Sequence, residues 1–370
     1  MVFVLPGLNL GGAERQALVL ARYLIQAHHA DVRILGFGEP GKVAELCDAA
    51  DIPWHSLEAH WPPHRLERVR AAIQFGLSLR KYKPDLLLPY CWFPNMICGL
   101  SWRLSGARLC VWNQRDEGRH FKGTRLEYLS AKFTPRFISN SQHAADFLVQ
   151  QLHVNRDRIA VVYNGVEVVA PIEQRATWRA RLHLSEDDFV ACMVANLHHF
   201  KDHATLLKAW RQVVDRFSED GHAAILLLAG RFDTTHDTLK ALAYDLELGK
   251  SVRFLGQVGD IGGLLTAVDL GVFSSRLEGC PNGVLECMAA GLPVVGTDIP
   301  GIREAVGEAG YPWLAPPGDA EMLAAHILTL ARDAELREQL GAHNHQRIVE
   351  HFSPEKMGRE AAALLRAWLK

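Results

Sequence analysis

Long apolar runs are missing from this sequence. None of its 370 residues belongs to a stretch approaching the roughly 18 consecutive apolar residues that a membrane-spanning helix needs. An excess of one charge is missing as well. The chain has 40 Lys and Arg against 42 Asp and Glu, a formal net charge of -2, which excludes a globally basic nucleic-acid binder, so no nucleic-acid partner is expected. The seven cysteines include no C-x-x-C pair and no even framework. Several fall inside apolar runs, so reduced buried thiols are expected rather than disulfides or zinc ligands. His28/His29, His198/His199 and His343/His345 lack a second pair at ligand spacing, and no metal is expected. The N-terminus has no basic flank before its apolar run and Gly-rich sequence after it. It therefore reads as a first strand rather than a signal peptide, and the expected location is cytoplasmic.

What the chain does contain is alternation. Short apolar runs at 2–5, 32–36, 86–89, 109–112, 137–139 and 159–163 read as buried strands. Amphipathic segments separate them, as in 13–27, where Ala17, Leu20, Ala21, Leu24 and Ile25 form one apolar stripe. After Asn164–Gly165 and a charged stretch at 173–188, a second series follows at 189–195, 224–229, 252–256, 270–274 and 293–296. Apolar strands alternating with helices imply βαβ units and parallel sheets covered on both faces. The reading is α/β with two open domains, and Ser353 is the expected cap of a last helix at 354–370.

The densest chemical signal is SSRLEGCPNGVLECMAAGLP at 274–293. It leaves a strand and enters a short helix for which Asn282 is the expected N-cap. The free N–H groups of that first turn would face the carboxyl end of the sheet, where open α/β folds bind ligands and a phosphate is favoured. Glu278 stands before the turn and Glu286 inside the helix. A carboxylate so placed can accept hydrogen bonds from a vicinal diol; the alternative is an ordinary turn with a helix-start acid stabilised by the macrodipole.

Glu278 and Glu286, separated by seven residues and followed by Met-Ala-Ala-Gly-Leu-Pro, resemble the E-x7-E motif of retaining GT-B glycosyltransferases of the GT4 family, the glycosyl transferases group 1. Gly11–Gly12–Ala13–Glu14–Arg15, the Asn164–Gly165–Val166 segment, Lys201–Asp202, Gly230, Phe254–Leu255–Gly256 and Ala267–Val268–Asp269 resemble its other landmarks in order. The resemblance implies two Rossmann-like domains facing a central cleft. It places an acceptor-binding domain at 1–168, onto which the helix 354–370 packs back, and a nucleotide-sugar domain at 169–353. It implies a nucleotide-sugar donor, UDP-linked first and GDP-mannose second, a glycan or lipid-linked acceptor, and no metal or cofactor. Glu286 would then take the ribose hydroxyls. Lys201 and the backbone at Asn282, Gly283 and Val284 would take the diphosphate. Glu278, with Gly279 and Pro281 in its loop, would take the sugar, making Glu278 and Lys201 the expected catalytic pair.

Two departures stand out. Asn196 occupies the place where the family commonly has Arg, leaving one cation where two are usual. The strand end at 112–117 lacks the family's His, which leaves Asn113, Arg115 and Asp116, with Gly11 and Gly12, as acceptor-side candidates. A catalytically inactive binding or scaffold subunit is one alternative. A nucleotide-sugar epimerase is another, although it would have no use for E-x7-E. An NAD-linked oxidoreductase fails on the spacing Gly7-x-x-x-Gly11–Gly12, which is not G-x-G-x-x-G.

Charge is uneven along the chain. Between 60 and 140, fourteen Lys and Arg stand against five Asp and Glu, interleaved with Trp61, Phe75, Trp92, Phe93, Trp102, Phe121 and Phe133. The functional reading is peripheral contact with the inner face of a membrane and a lipid-linked acceptor. The alternative is a solvated helix face over an ordinary core, with Leu66, Val69, Ile73 and Leu77 as the core-facing stripe.

Overall fold

The apolar runs become the strands of two parallel sheets, the central ones buried on both faces and all of them connected through helices. The computed structural model describes residues 1–58, 61–167, 171–219 and 223–370. The first sheet is built from β1 (Val2–Leu5), β2 (Arg33–Phe37), β3 (Trp54–Leu57), β4 (Leu86–Pro89), β5 (Leu109–Gln114), β6 (Arg136–Ser139) and β7 (Ile159–Val161). Its order is β3-β2-β1-β4-β5-β6-β7, parallel throughout. The second comprises β8 (Phe189–Val194), β9 (Ala224–Ala229), β10 (Val252–Gly256), β11 (Leu270–Phe273), β12 (Val294–Thr297) and β13 (Leu314–Ala315), in the order β10-β9-β8-β11-β12-β13. Sequence order reverses between β1 and β4 and between β8 and β11. These are the switch points at which doubly wound sheets open a crevice.

Two strands escape the apolar-run criterion, and both lie at sheet edges. β3 is only half-buried, and β13 is two residues long. Edge strands carry weaker patterns because one side of each is not covered.

The chain forms two compact units, 1–165 with 353–370 and 166–352. The expected boundary at 168/169 lies outside the described residues. Ser353 belongs with the first unit, because its side chain accepts the Lys356 N–H and so starts the helix Pro354–Leu369. That helix lies on Gly12–His28. Met357, Ala361, Ala362 and Leu365 are buried with Leu20 and Leu24. At Gly358 even a methyl group would come within 2.2 Å of the Tyr23 ring.

One stripe faces the opposite way from expectation. In helix Arg65–Ser78, Leu66 is 86% exposed and Val69, Ile73 and Leu77 are between 44% and 49% exposed. The buried side is Ala72 and Gly76, continued by Leu79. A Cβ on Gly76 would stand 2.6 Å from the Ser101 carbonyl, so small residues set this contact and the larger apolar side chains are left outside. Residue 60, at the edge of the basic stretch, lies outside the described residues.

Candidate active site

In the second unit two loops meet at the switch point. The loop after β8 ends in a short 3-10 turn, His199–Lys201, and Asp202 then takes a left-handed backbone (φ 48°) that turns the chain into helix His203–Glu219. The loop after β11 lies across it. Ser274 Oγ donates to the carbonyls of Lys201 (3.0 Å) and Asp202 (2.9 Å), and the Arg276 N–H donates to the Phe200 carbonyl (2.8 Å). Arg276 Nε also donates to Asp202 Oδ2 at 2.7 Å.

These bonds set Lys201 Nζ 2.5 Å from Glu278 Oε1, to which Ser275 Oγ also donates at 2.7 Å. Glu278 is 7% exposed and Lys201 22%, so the pair sits at the rim of the loop, where a charge is only partly hydrated. A charge-assisted bond of this kind holds both heads in place at moderate cost.

The helix Asn282–Ala289 begins one residue earlier than a cap at Asn282 would require. Pro281 is the N-cap: its carbonyl accepts the Leu285 N–H (3.1 Å), and its φ of -78° and ψ of 100° are extended. The proline ring fixes φ and has no N–H to satisfy, which makes it the stable stopping point, and Asn282 becomes the first helical residue. Gly283 is demanded by contact, because a Cβ there would lie 2.0 Å from the Val194 carbonyl at the end of β8. Gly301 in the next helix would likewise collide with the carbonyls of Glu278 (2.3 Å) and Gly279 (2.7 Å). Val284 is fully buried, so only its backbone can serve a ligand. Glu286 is half-buried one turn in. Its charge adds to burial in raising the thiol pKa values of Cys192 and Cys287, which locates it over β8.

Asn196 is taken up by the neighbouring loop, its Oδ1 accepting the Arg231 N–H at 3.0 Å. Beside Lys201 stands a group that the motif did not single out. His203 is 1% exposed, and its ring nitrogens have no hydrogen-bond partner among the described residues. Burial first, and the Lys201 charge second, bring its pKa down to about 4, so the ring is neutral at pH 7.

In the first unit, Gly11 caps helix Gly12–His28 with an extended backbone, and a Cβ there would touch the Glu14 carboxylate at 2.5 Å. Gln16 exchanges two 2.9 Å hydrogen bonds with the backbone of Gly165. Cys91, at the end of β4, has φ 66° and ψ 175°, a region at ease only for glycine. Burial raises its thiol pKa, Glu14 and Asp116 add to that, and Arg115 and Arg119 oppose them, so these groups surround one point. Asn113 is 1% exposed, with its amide donating to the Pro89 and Val111 carbonyls. Asp116 Oδ1 accepts the N–H groups of Gly118 and Arg119. Asn113 thus fastens strand ends and Asp116 fastens a turn, whereas the partly buried Arg115 donates through Nη2 to Asn164 Oδ1.

The profile of Glycosyl transferases group 1 matches residues 174–347, and that of Glycosyltransferase Family 4 matches 10–169. Each unit therefore carries the segment that resembles its counterpart in these glycosyltransferase families. The lipopolysaccharide core biosynthesis glycosyltransferase LpsE of Rhizobium meliloti (strain 1021) is 27% identical over 349 residues, 93% of each chain. The N-acetyl-alpha-D-glucosaminyl L-malate synthase of Bacillus anthracis is 28% identical over 206 residues, 55% of this chain. The matched segments span only 52% of that relative and 60% of an uncharacterized glycosyltransferase, MJ1607, of Methanocaldococcus jannaschii. The crystal structure of Anabaena Alr3699/HepE in complex with UDP and glucose superposes with a TM-score of 0.84 at 21% identity over 99% of both chains. The two parallel-sheet units are those of the GT-B architecture.

Within the second unit the motif residues fall into distinct clusters. Lys201, Glu278 and Gly279 are gathered around the stitched loops, and Pro281, Asn282 and Gly283 lie at the helix start behind β8. Glu286 sits deeper along the helix, and Asn196 is turned toward β9. Ser274, Ser275 and His203 belong to the same site. The serines preceding Glu278 were a readable signal for it; nothing in the sequence showed how deep His203 lies. Among the described residues no three His, Cys, Asp or Glu side chains converge as a metal site, and no helix is long and apolar enough to cross a membrane.

Proposed function

We propose that this chain is a retaining glycosyltransferase that moves a sugar from a nucleotide-sugar to a glycan or lipid-linked acceptor in cell-surface polysaccharide or glycolipid assembly. The observation that carries this reading is the Lys201–Glu278 pair, held by Ser274 and Ser275 beside the start of helix Asn282–Ala289. As the bond between sugar and diphosphate breaks, charge collects on the leaving diphosphate. Lys201 and the N–H groups of Asn282, Gly283 and Val284 stabilise it, already oriented before the reaction. Glu286 accepts from the ribose hydroxyls and Glu278 from the sugar, with Gly279 and Pro281 shaping the loop. A leaving phosphate oxygen takes the acceptor's hydroxyl proton on the face it departs from, which retains the anomeric configuration and requires neither metal nor cofactor. A UDP-sugar is the first choice of donor, supported by the UDP and glucose of the Anabaena structure; GDP-mannose is the second. Gly11, Gly12 and Arg115 stand on the acceptor side.

The exposed Leu66, Val69, Ile73 and Leu77, flanked by exposed Arg70 and Arg80, support contact with the cytoplasmic face of a membrane. One observation favours a binding subunit without turnover: Asn196 brings no charge and its carbonyl is already engaged by the Arg231 backbone. A thermal-shift screen of UDP-, GDP-, ADP- and dTDP-sugars, on wild type and Glu286→Ala, tests the donor site. One nucleotide should stabilise wild type alone. A shift with no accompanying turnover would select the binding subunit, and no shift with any donor would sink both readings.

A further inference from the structure

Arg115 follows the last residue of β5, and the fold fixes it from three sides. Its carbonyl accepts from Asn140 Nδ2 at 3.1 Å, tying the backbone to the end of β6. Its guanidinium carbon lies 5.4 Å from the centre of the Tyr90 ring, itself 1% exposed and stacked on Phe3. Its Nη2 donates to Asn164 Oδ1 at 2.5 Å, and Asn164 is 2% exposed. The plane of the guanidinium is therefore set before any ligand arrives.

What it lacks is a counter-ion. Arg119 has Glu117, Arg175 has Asp269 and Arg303 has Asp298, but among the described residues no carboxylate lies within ion-pair distance of Arg115. The neighbouring Asp116 spends Oδ1 on the backbone of Gly118 and Arg119. Asn164 takes one donor of the partly buried guanidinium, and an oxyanion would take others in charge-assisted bonds. The position is the carboxyl end of a parallel sheet, one strand from the β1/β4 switch point. The remaining N–H donors form a planar fork suited to two oxygens of one oxyanion. Arg119 brings a second cation to the same strand end, where Glu14 and Asp116 also act, and two cations there suit a phosphoryl group.

We propose that Arg115 is the specificity residue of an oxyanion subsite in the first unit and binds a phosphoryl group carried by the acceptor. Assigning the anion to the acceptor rests on the glycosyltransferase reading; the anion site itself rests only on geometry within residues 1–165.

The test is calorimetric titration of the full chain with inorganic pyrophosphate in a Lys201→Gln background, which disables the diphosphate position of the other unit. That variant should still bind pyrophosphate. Adding Arg115→Gln should weaken binding at least tenfold, with Arg115→Lys intermediate, because it keeps the charge and loses the fork. Thermal unfolding of each variant confirms that it is folded. Affinity unchanged by Arg115→Gln, or no binding by folded Lys201→Gln, overturns the proposal. Geranyl diphosphate supplies a second arm. Binding tenfold tighter than pyrophosphate places the phosphoryl group on a lipid carrier, and equal binding places it on a soluble phosphorylated acceptor. Nucleotide-sugar shifts measured on Arg115→Gln report on the donor reading separately.

Discussion

The ammonium of Lys201 lies 2.5 Å from Oε1 of Glu278, a residue 77 positions later in the chain, and the serine next to Arg276 donates to the same oxygen. One head of this pair is a cation suited to a diphosphate and the other an acceptor suited to sugar hydroxyls. Each holds the other in place before either meets a ligand.

Replacing Lys201 by Ala removes the cation from a nearly buried carboxylate that keeps its Ser275 bond. Transfer should fall by about 10²–10³-fold, the usual loss when one preorganised charge stabiliser is removed. Stability should fall by about 1.5–3 kcal/mol, the usual worth of a hydrogen bond to a charged group. Glu278→Gln keeps an acceptor for Ser275 and carries no charge, so urea unfolding should show a smaller stability loss while transfer stays impaired. Equal activity in Lys201→Ala and wild type would remove this pair from the mechanism.

Gly283→Ala places a methyl 2.0 Å from the Val194 carbonyl, so the helix start must shift. A stability loss of roughly 1–3 kcal/mol is expected from overpacking. The donor KM should rise as well, because the same turn offers the N–H groups. A variant with wild-type KM would show that the helix start does not touch the donor.

His203 makes stability depend on pH. Its folded pKa of about 4 lies below its ordinary 6.5, so between these values the unfolded chain binds the extra proton. Its contribution is therefore complete above pH 6.5 and is lost as pH falls toward 4. The difference amounts to about 3 kcal/mol at most. Denaturant unfolding at pH 7 and pH 5 should show a drop that His203→Leu reduces. An identical pH slope in the two proteins would remove His203 as its source.

Leu66→Glu and Ile73→Glu alter side chains that are 86% and 44% exposed, so the melting temperature should change little. Co-sedimentation with vesicles containing anionic lipid should fall severalfold for the double variant if this stripe meets the membrane. Unchanged sedimentation would return the helix to the status of a solvated face.

Much of the fold was legible because strands buried on both faces are mostly apolar, as the central strands β1, β4, β8, β9 and β11 are, and as β5 and β12 are up to their polar ends at Asn113, Gln114 and Thr297. The edges β3 and β13 were not, since a half-covered or two-residue strand leaves little pattern. In the candidate site, the spacing of Glu278 and Glu286 and the glycines around Asn282 were readable as local chemistry. Pro281 taking the cap from Asn282 was a local fact too, but one decided by where the first helical hydrogen bond forms.

The sequence by itself determined the two parallel sheets, the E-x7-E motif and the residues able to carry charge there, because periodicity and short-range turn chemistry act within a few neighbours. Only the tertiary structure decided which residues meet. It set Lys201 on Glu278, turned Asn196 onto the Arg231 backbone, buried Asn113, and left Arg115 anchored without a counter-ion among the described residues. It also chose the outward face of helix Arg65–Ser78. Helical periodicity marks an apolar stripe, but close packing of Gly76 against Ser101 selects the small-residue side for the core. Such choices depend on the volume and charge of groups far away in the chain, which local pattern does not encode.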